Sequence, residues 1–385
     1  MTAVADRPPG AGEGPSLLAL AWVFLRLGTT AFGGPAAHIA MMREEFVERR
    51  KWLTDARFLD LIGAANLIPG PNSTEVAIHV GHARGGWRGL LVAGTCFILP
   101  AAFLVWALAR VYVRYGSLPE ARSVLHGVTP VIIAIVVRAL WTLGHTAVKS
   151  AWLGALAGAS LLAVVLGVDE IAVLLLAGLV GGIVARGRAR AARGLGAFGA
   201  AIPLAGGTGA AGAFAMAKLF LVFLKAGALL FGSGYVLLAF LRADLVTRLG
   251  WLTERQLLDA IAVGQVTPGP VFTTATFIGY VLGGTRGSVI ATLGIFLPAF
   301  VYVAASAPLL PRLRRSKTAA GVLDGVNVAS LALMLAVTWH LARAAIVDWP
   351  TGALAVFSLV LLGLTRINSV WLVLAGGLVG YALWR

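Results

Sequence analysis

Two cations sit where a cation is costly to keep. Arg26 and Lys225 fall inside apolar runs, and no acidic residue shares either run. A charge at membrane depth faces a cavity or a partner. The two positions differ by 199 residues, and so does a long stretch of matching sequence around them. Arginine can hold two oxygens in a fork, whereas lysine acts as a point charge. The pair could therefore hold an anion between two related elements. Snorkelling to the interface, or a structural pair with a distant carboxylate, is the plainer reading. Arg138 is a third basic residue inside an apolar run.

Helix breaks lie beside these cations. The first runs end in Phe32-Gly33-Gly34-Pro35 and Phe231-Gly232-Ser233-Gly234. Glycine permits close backbone approach there. Farther on, Pro69-Gly70-Pro71 and Pro268-Gly269-Pro270 each interrupt an apolar segment. Proline removes a helix hydrogen bond and clashes with the preceding turn. Irregular backbone at membrane depth is tolerated only inside protein or along a cavity. Small polar residues follow each break: Asn72, Ser73 and Thr74 in one case, Thr273 and Thr274 in the other. A half-helix starting there offers free N–H groups and a positive dipole end. Broken helices at matching positions of two repeats point to a transporter's central site. The combination suits a small, strongly hydrated anion; hinge glycines and capping hydroxyls are the plain alternative. His38, Glu75 and His79 are the candidates for carrying protons, with a packed polar cluster facing a watery vestibule as the alternative.

The elements that position these residues follow from composition and repetition. The chain has 385 residues, 59% hydrophobic and 12% charged, with mean hydropathy +0.89. A soluble domain carries about 25% charged residues, so an ordinary soluble enzyme is excluded and a polytopic membrane protein is indicated. The net charge of +15 sits in short connectors between apolar runs, which fits topology signals rather than a nucleic-acid groove. The lone Cys96 excludes an internal disulfide and any cysteine-based metal or redox centre. No lysine follows a glycine, so a Walker lysine is absent. His79-x-x-His82 is weak as a metal site. No nucleophile–base arrangement stands out, and no cofactor or enzymatic activity is expected.

Shifted by 199, residues 24–71 match residues 223–270 at 18 of 48 positions. After one deletion the shift becomes 198 and holds to the end, pairing Gly85-Gly86 with Gly283-Gly284 and Trp141 with Trp339. The expected organisation is a disordered tail (1–15), a first repeat (16–185), a basic Gly/Ala linker (186–214) and a second repeat (215–385). The expected fold is all-α: two homologous inverted-topology repeats with about five crossings each, plus a PGP-broken re-entrant or discontinuous helix per repeat. Within the first repeat the segments are 17–33, 41–54, 58–81, 90–112, 124–143, 152–167 and 171–185. The basic residues of the connectors favour inverted halves with both termini outside.

The motifs FGGPAAHI, ERRKWLT and LIPGPNS, with LFGSGY, WLT and VTPGPV in the second half, resemble the chromate ion transporter family in its long two-domain form. The resemblance spans nearly the whole chain. It implies a secondary transporter that exports chromate across the bacterial inner membrane, driven by the membrane potential and proton gradient, and confers chromate resistance. The resemblance also implies sulfate, similar to chromate in shape and charge, as the competitor, and protons and the lipid bilayer are the other partners. An anion channel, or a transporter of sulfate or another oxyanion using the same site, is the alternative. A homodimer is left open. The second half has Gly234 for Pro35 and Leu237 for His38, so roles carry over to it less completely.

Overall fold

The computed structural model describes residues 15–32, 34–116, 118–190, 216–231, 236–365 and 367–384. Every regular element among them is helical. Gly33, Gly232, Ser233 and Gly234 lie outside the described residues, as do the N-terminal tail and most of the expected linker.

Helix α1 (Leu17–Thr30) has 14 residues. At 1.5 Å per residue that is about 21 Å, short of the roughly 30 Å of a bilayer's hydrocarbon core. After it the chain folds back. Helix α2 (Gly34–Arg43) continues into a π-helical turn, Glu44–Arg49. Phe46 of that turn lies against Phe24 of α1, with ring centroids 5.2 Å apart. Elements α1 and α2 thus form a hairpin, with Gly34 and Pro35 near its tip.

A second hairpin follows. Helix α3 (Asp55–Ala65) starts on a Thr54 cap and stops before Pro69-Gly70-Pro71. Helix α4 (Asn72–Tyr115) then leaves the break. It reverses at Gly85-Gly86, where Gly86 has φ +57°, a conformation that favours glycine. The two arms pack antiparallel, with Gly81 against Gly89. The long second arm, residues 87–115, crosses the molecule. Helices α5 (Pro119–Ala147), α6 (Ala151–Val165) and α7 (Glu170–Arg190) complete the first repeat. Helix α7 continues past residue 185 into the basic stretch expected to be linker.

The second repeat reproduces this order: α8 (Met216–Leu229), α9 (Leu237–Leu241) with a π-helical turn Arg242–Arg248, and α10 (Glu254–Val266). A short 3-10 turn (Val271–Thr273) leads into α11 (Thr274–Arg315), followed by α12 (Lys317–Ala345), α13 (Trp349–Leu364) and α14 (Ser369–Leu383). Among the described residues, five helical stretches are long and apolar enough to cross a membrane: Asn72–Tyr115, Pro119–Ala147, Glu170–Gly187, Val271–Ser306 and Lys317–Ala345.

The repeats run in opposite directions. Trp106 near the end of α4 donates to Thr285 near the start of the long arm of α11 (3.2 Å), and Gly94 packs on Phe300. The repeats also interlock. Helix α7 packs on α12 through Gly181 and Gly321, and α14 packs on α5 through Gly376 and Gly127. Small residues let such backbones approach closely, the usual basis of helix association in lipid. One expectation fails here. Leu17 lies beside Gly85, whereas the Trp384 carbonyl accepts from Ser123, so the two ends of the described chain lie at opposite ends of the long arm of α4. The reason is that α1 turns back as a half-length helix.

Candidate functional site

The two Pro-Gly-Pro breaks meet the opposite repeat. The Gly70 amide donates to the Leu230 carbonyl (2.7 Å), and the Gly269 amide donates to the Ala31 carbonyl (2.8 Å). These bonds are equivalent under the 199-residue shift. Each break therefore satisfies a carbonyl freed where the other repeat's first helix ends. Gly70 has φ +139° and Gly269 has φ +86°. A side chain at 70 would collide with the Glu75 carboxyl, and one at 269 would come within 2.7 Å of Ala101. Both features require glycine.

A cavity of about 540 Å³ opens beside the crossed breaks. Pro71, Asn72 and Ser73 line it, and so do their repeat mates Pro270, Val271 and Phe272. Gly34 to Ala36 and Ile39 add the tip of the first hairpin. Helix α5 contributes Thr142 and Thr146, and α12 contributes Asn327, Ser330 and Met334. Ser330 is 2% exposed and its hydroxyl has no hydrogen-bond partner. Among the described residues, no charged side chain lines this cavity.

The expected site residues divide accordingly. Gly34, Pro71, Asn72 and Ser73 lie on the wall. Pro69, Gly70, Pro268, Gly269 and Pro270 form the breaks, Pro270 also reaching the wall. Thr74 is fully buried with an unpartnered hydroxyl. Thr273 and Thr274 turn their hydroxyls back onto the Pro270 and Val271 carbonyls, both at 2.8 Å, where they cap the break. His38 is buried behind Ser73. Its Nδ1 lies 3.2 Å from the Ser73 hydroxyl and its Nε2 lies 3.0 Å from the Ala31 carbonyl. Glu75 is fully buried with both carboxyl oxygens unpartnered, and His79 Nε2 is likewise unpartnered. The two residues make no hydrogen bond to each other.

Arg26 and Lys225 do not reach the cavity wall. Arg26 forms an ion pair with Glu45, and Lys225 forms one with Asp244. The acids are themselves repeat mates, 199 residues apart. Each cation joins its first helix to the returning arm of its hairpin. Glu45 also accepts from Arg50 at 2.6 Å, and Asp244 accepts from Arg248 at 3.0 Å. Glu45 lies in the charged turn outside the long membrane helices. Burial alone would raise its carboxyl, and the bonds and charges of Arg50 and Arg26 outweigh this and hold it below its ordinary value. Arg248 also pairs with Asp169 and Glu170 at the start of α7, tying one repeat to the other. Arg138 is exposed on α5.

Several residues escaped the sequence reading. Glu45 and Asp244 carried a signal, since both are acids at one register position of the repeat. Asn327 and Ser330 are polar residues three apart on an apolar helix, a spacing that puts them on one face. Asp259 is buried on α10 and accepts a 2.7 Å hydrogen bond from Tyr112 of the other repeat. Nothing in the local sequence announced that contact.

An all-helical, multi-pass membrane chain of two interlocked, oppositely directed repeats, with crossed helix breaks around one cavity, defines a membrane transport protein. The model described as Chromate transporter matches residues 18–182 and again residues 217–381, so the chain belongs to the chromate transporter family. It is 35% identical over 384 residues to a chromate transport protein of Cupriavidus metallidurans, covering 96% of this chain and 94% of that one. It is 33% identical to a chromate transport protein of Pseudomonas aeruginosa, covering 93% and 90% of the two chains. A probable chromate transport protein of Synechococcus elongatus is 29% identical, with coverage of 92% and 90%. No solved structure matches the chain.

Proposed function

We propose that this protein exports chromate across the bacterial inner membrane and thereby confers chromate resistance, with sulfate as the competing oxyanion. The observation that carries the reading is the neutral, donor-bearing cavity at the crossed breaks. Its wall combines the start of α4 with Asn72, Ser73, Asn327 and Ser330. Hydrogen-bond donors that are fixed in advance can replace the hydration shell of a tetrahedral dianion. The family membership supports the choice of chromate.

Arg26 and Lys225 enter this reading as positioning residues. They pin the returning arms of the hairpins, and the first hairpin's tip forms part of the wall. Glu75 is the leading proton carrier, because a lone charge buried without a donor is costly. His38 and His79 are the other two.

Export of a dianion from a negative interior is favoured by about 2.3 kcal/mol per charge per 100 mV, roughly 4.6 in total. Everted membrane vesicles test the proposal. Energised vesicles should take up radiolabelled chromate, excess sulfate should compete, and ionophores that collapse the potential should stop uptake. Uptake equal to that of vesicles lacking the protein would overturn it.

A further inference from the structure

The hydrogen bonds of His38 fix which way Ser73 presents its hydroxyl. The Ala31 carbonyl can only accept, so Nε2 carries a proton in every state of the ring. A neutral ring then has a bare Nδ1, which accepts from the Ser73 hydroxyl. That leaves Ser73 with only lone pairs for the cavity it lines. A protonated ring reverses the bond. Nδ1–H donates to the serine oxygen, and the serine proton turns to the cavity.

We propose that His38 and Ser73 form a proton-operated donor switch that strengthens oxyanion binding when His38 is protonated. This rests on reading the cavity as the oxyanion site. The unpartnered, buried Ser330 hydroxyl on the same wall is the independent sign that a ligand belongs there. The histidine's surroundings leave the switch to one bond. From α1 it meets the Ala31 carbonyl, from the start of α4 the Ser73 hydroxyl, and from the long arm of α4 the Phe97 ring, edge-on at 5.8 Å. The charged residues Arg26 of α1 and Glu75 of α4 are otherwise placed: Arg26 is held by Glu45, and Glu75 packs on Gly70. By linkage, a bound oxyanion must raise the proton affinity of His38 by the same factor. His38 acts through Ser73, so it is a positioning residue.

The test is equilibrium binding of radiolabelled chromate to the full-length protein from pH 8 down to about pH 4, because burial disfavours the charged ring and moves its titration below the ordinary histidine range. Three variants are compared with the parent: Ser73→Ala, His38→Gln and the double variant. Chromate's own protonation is common to all four and divides out of the comparison. The parent should gain about tenfold more affinity on acidification than either single variant, tenfold being about 1.4 kcal/mol. The double variant should behave like the singles, because both act through one hydrogen bond. Ser73→Ala leaves the histidine in place, so a folding defect at position 38 does not hide the answer. If Ser73→Ala keeps the parental pH ratio, the switch is overturned while the cavity reading stands. If the parent binds no chromate at any pH, the cavity reading fails and the switch fails with it.

Discussion

Replacing Arg26 by glutamine removes one partner of a carboxylate that is only 5% exposed. Losing one side of a buried ion pair costs about 3–5 kcal/mol when nothing else compensates. Here Arg50 stays 2.6 Å from Glu45, and the Arg26 side chain is 43% exposed. Solvent screening and the second cation bring the expected loss down to about 1–2 kcal/mol. That is enough to loosen the hairpin whose tip lines the cavity. Arg26→Gln should therefore lower both thermal stability in detergent and chromate uptake by everted vesicles. Glu45→Gln in the same chain removes the buried carboxylate itself and leaves only the part-exposed Arg50 to solvent, so the double variant should recover most of both. Arg26→Lys should keep part of the activity, since an ammonium still meets Glu45. Lys225→Gln should lower uptake less than Arg26→Gln, because among the described residues only Val236 of the second repeat's equivalent hairpin lines the cavity, whereas Gly34, Pro35, Ala36 and Ile39 of the first hairpin do. A double variant that regains stability but not transport would place Arg26 on the anion itself and refute the positioning argument.

Gly269→Ala should cost about 1–3 kcal/mol from backbone strain and reduce transport more than membrane insertion, measured by uptake normalised to protein. Replacing Pro69 and Pro71 together by alanine should do the same by letting α3 run on into α4. Ser330→Ala and Asn327→Leu should each raise the half-saturation concentration for chromate several-fold, and Asn327→Asp should abolish uptake by placing a carboxylate in the cavity. Single cysteines at positions 50 and 249, in a Cys96→Ala background, should react with an impermeant thiol reagent from opposite faces of the membrane. Labelling from one face would contradict the inverted repeats.

The parts of this fold that local chemistry dictates were legible in the sequence. Proline and glycine mark the breaks at 69–71 and 268–270, and the duplication shows that they are equivalent. The Gly85-Gly86 reversal falls in the gap between two apolar segments. Tertiary contacts were not legible. Whether a helix such as α1 runs on or folds back depends on a few backbone angles at a Gly-rich tip, and only the return brings Arg26 to Glu45. The bonds from Gly70 to Leu230 and from Gly269 to Ala31 join residues about 160 and 240 positions apart in sequence, and no periodicity encodes them. The small residues Gly127, Gly181, Gly321 and Gly376 announced close packing without naming their partners.

Two homologous halves build the cavity at the breaks unequally, and the asymmetry lies in both packing and chemistry. Ala139, Leu143, Asn327, Ser330 and Met334 line the open space. Their repeat mates Val337, Leu341, Thr129, Ile132 and Val136 are all buried. Ile132, Val136, Val337 and Leu341 pack within the hydrophobic core, so the same positions meet a cavity in one case and packed apolar side chains in the other. Inverted repeats supply this pair of arrangements without separate designs for each, which is the usual basis of alternating access. Most of the polar groups are not duplicated, Asn327 with its mate Thr129 being an exception. Asn72 and Ser73 face Val271 and Phe272 across the breaks, His38 has Leu237 as its mate, and Ser330 has Ile132. The start of α4 and helix α12 supply the donors, while the second repeat's break supplies an apolar floor. One tetrahedral anion needs one set of donors, so once the duplicated backbone had formed the crossing, polar chemistry was required on only one side of it.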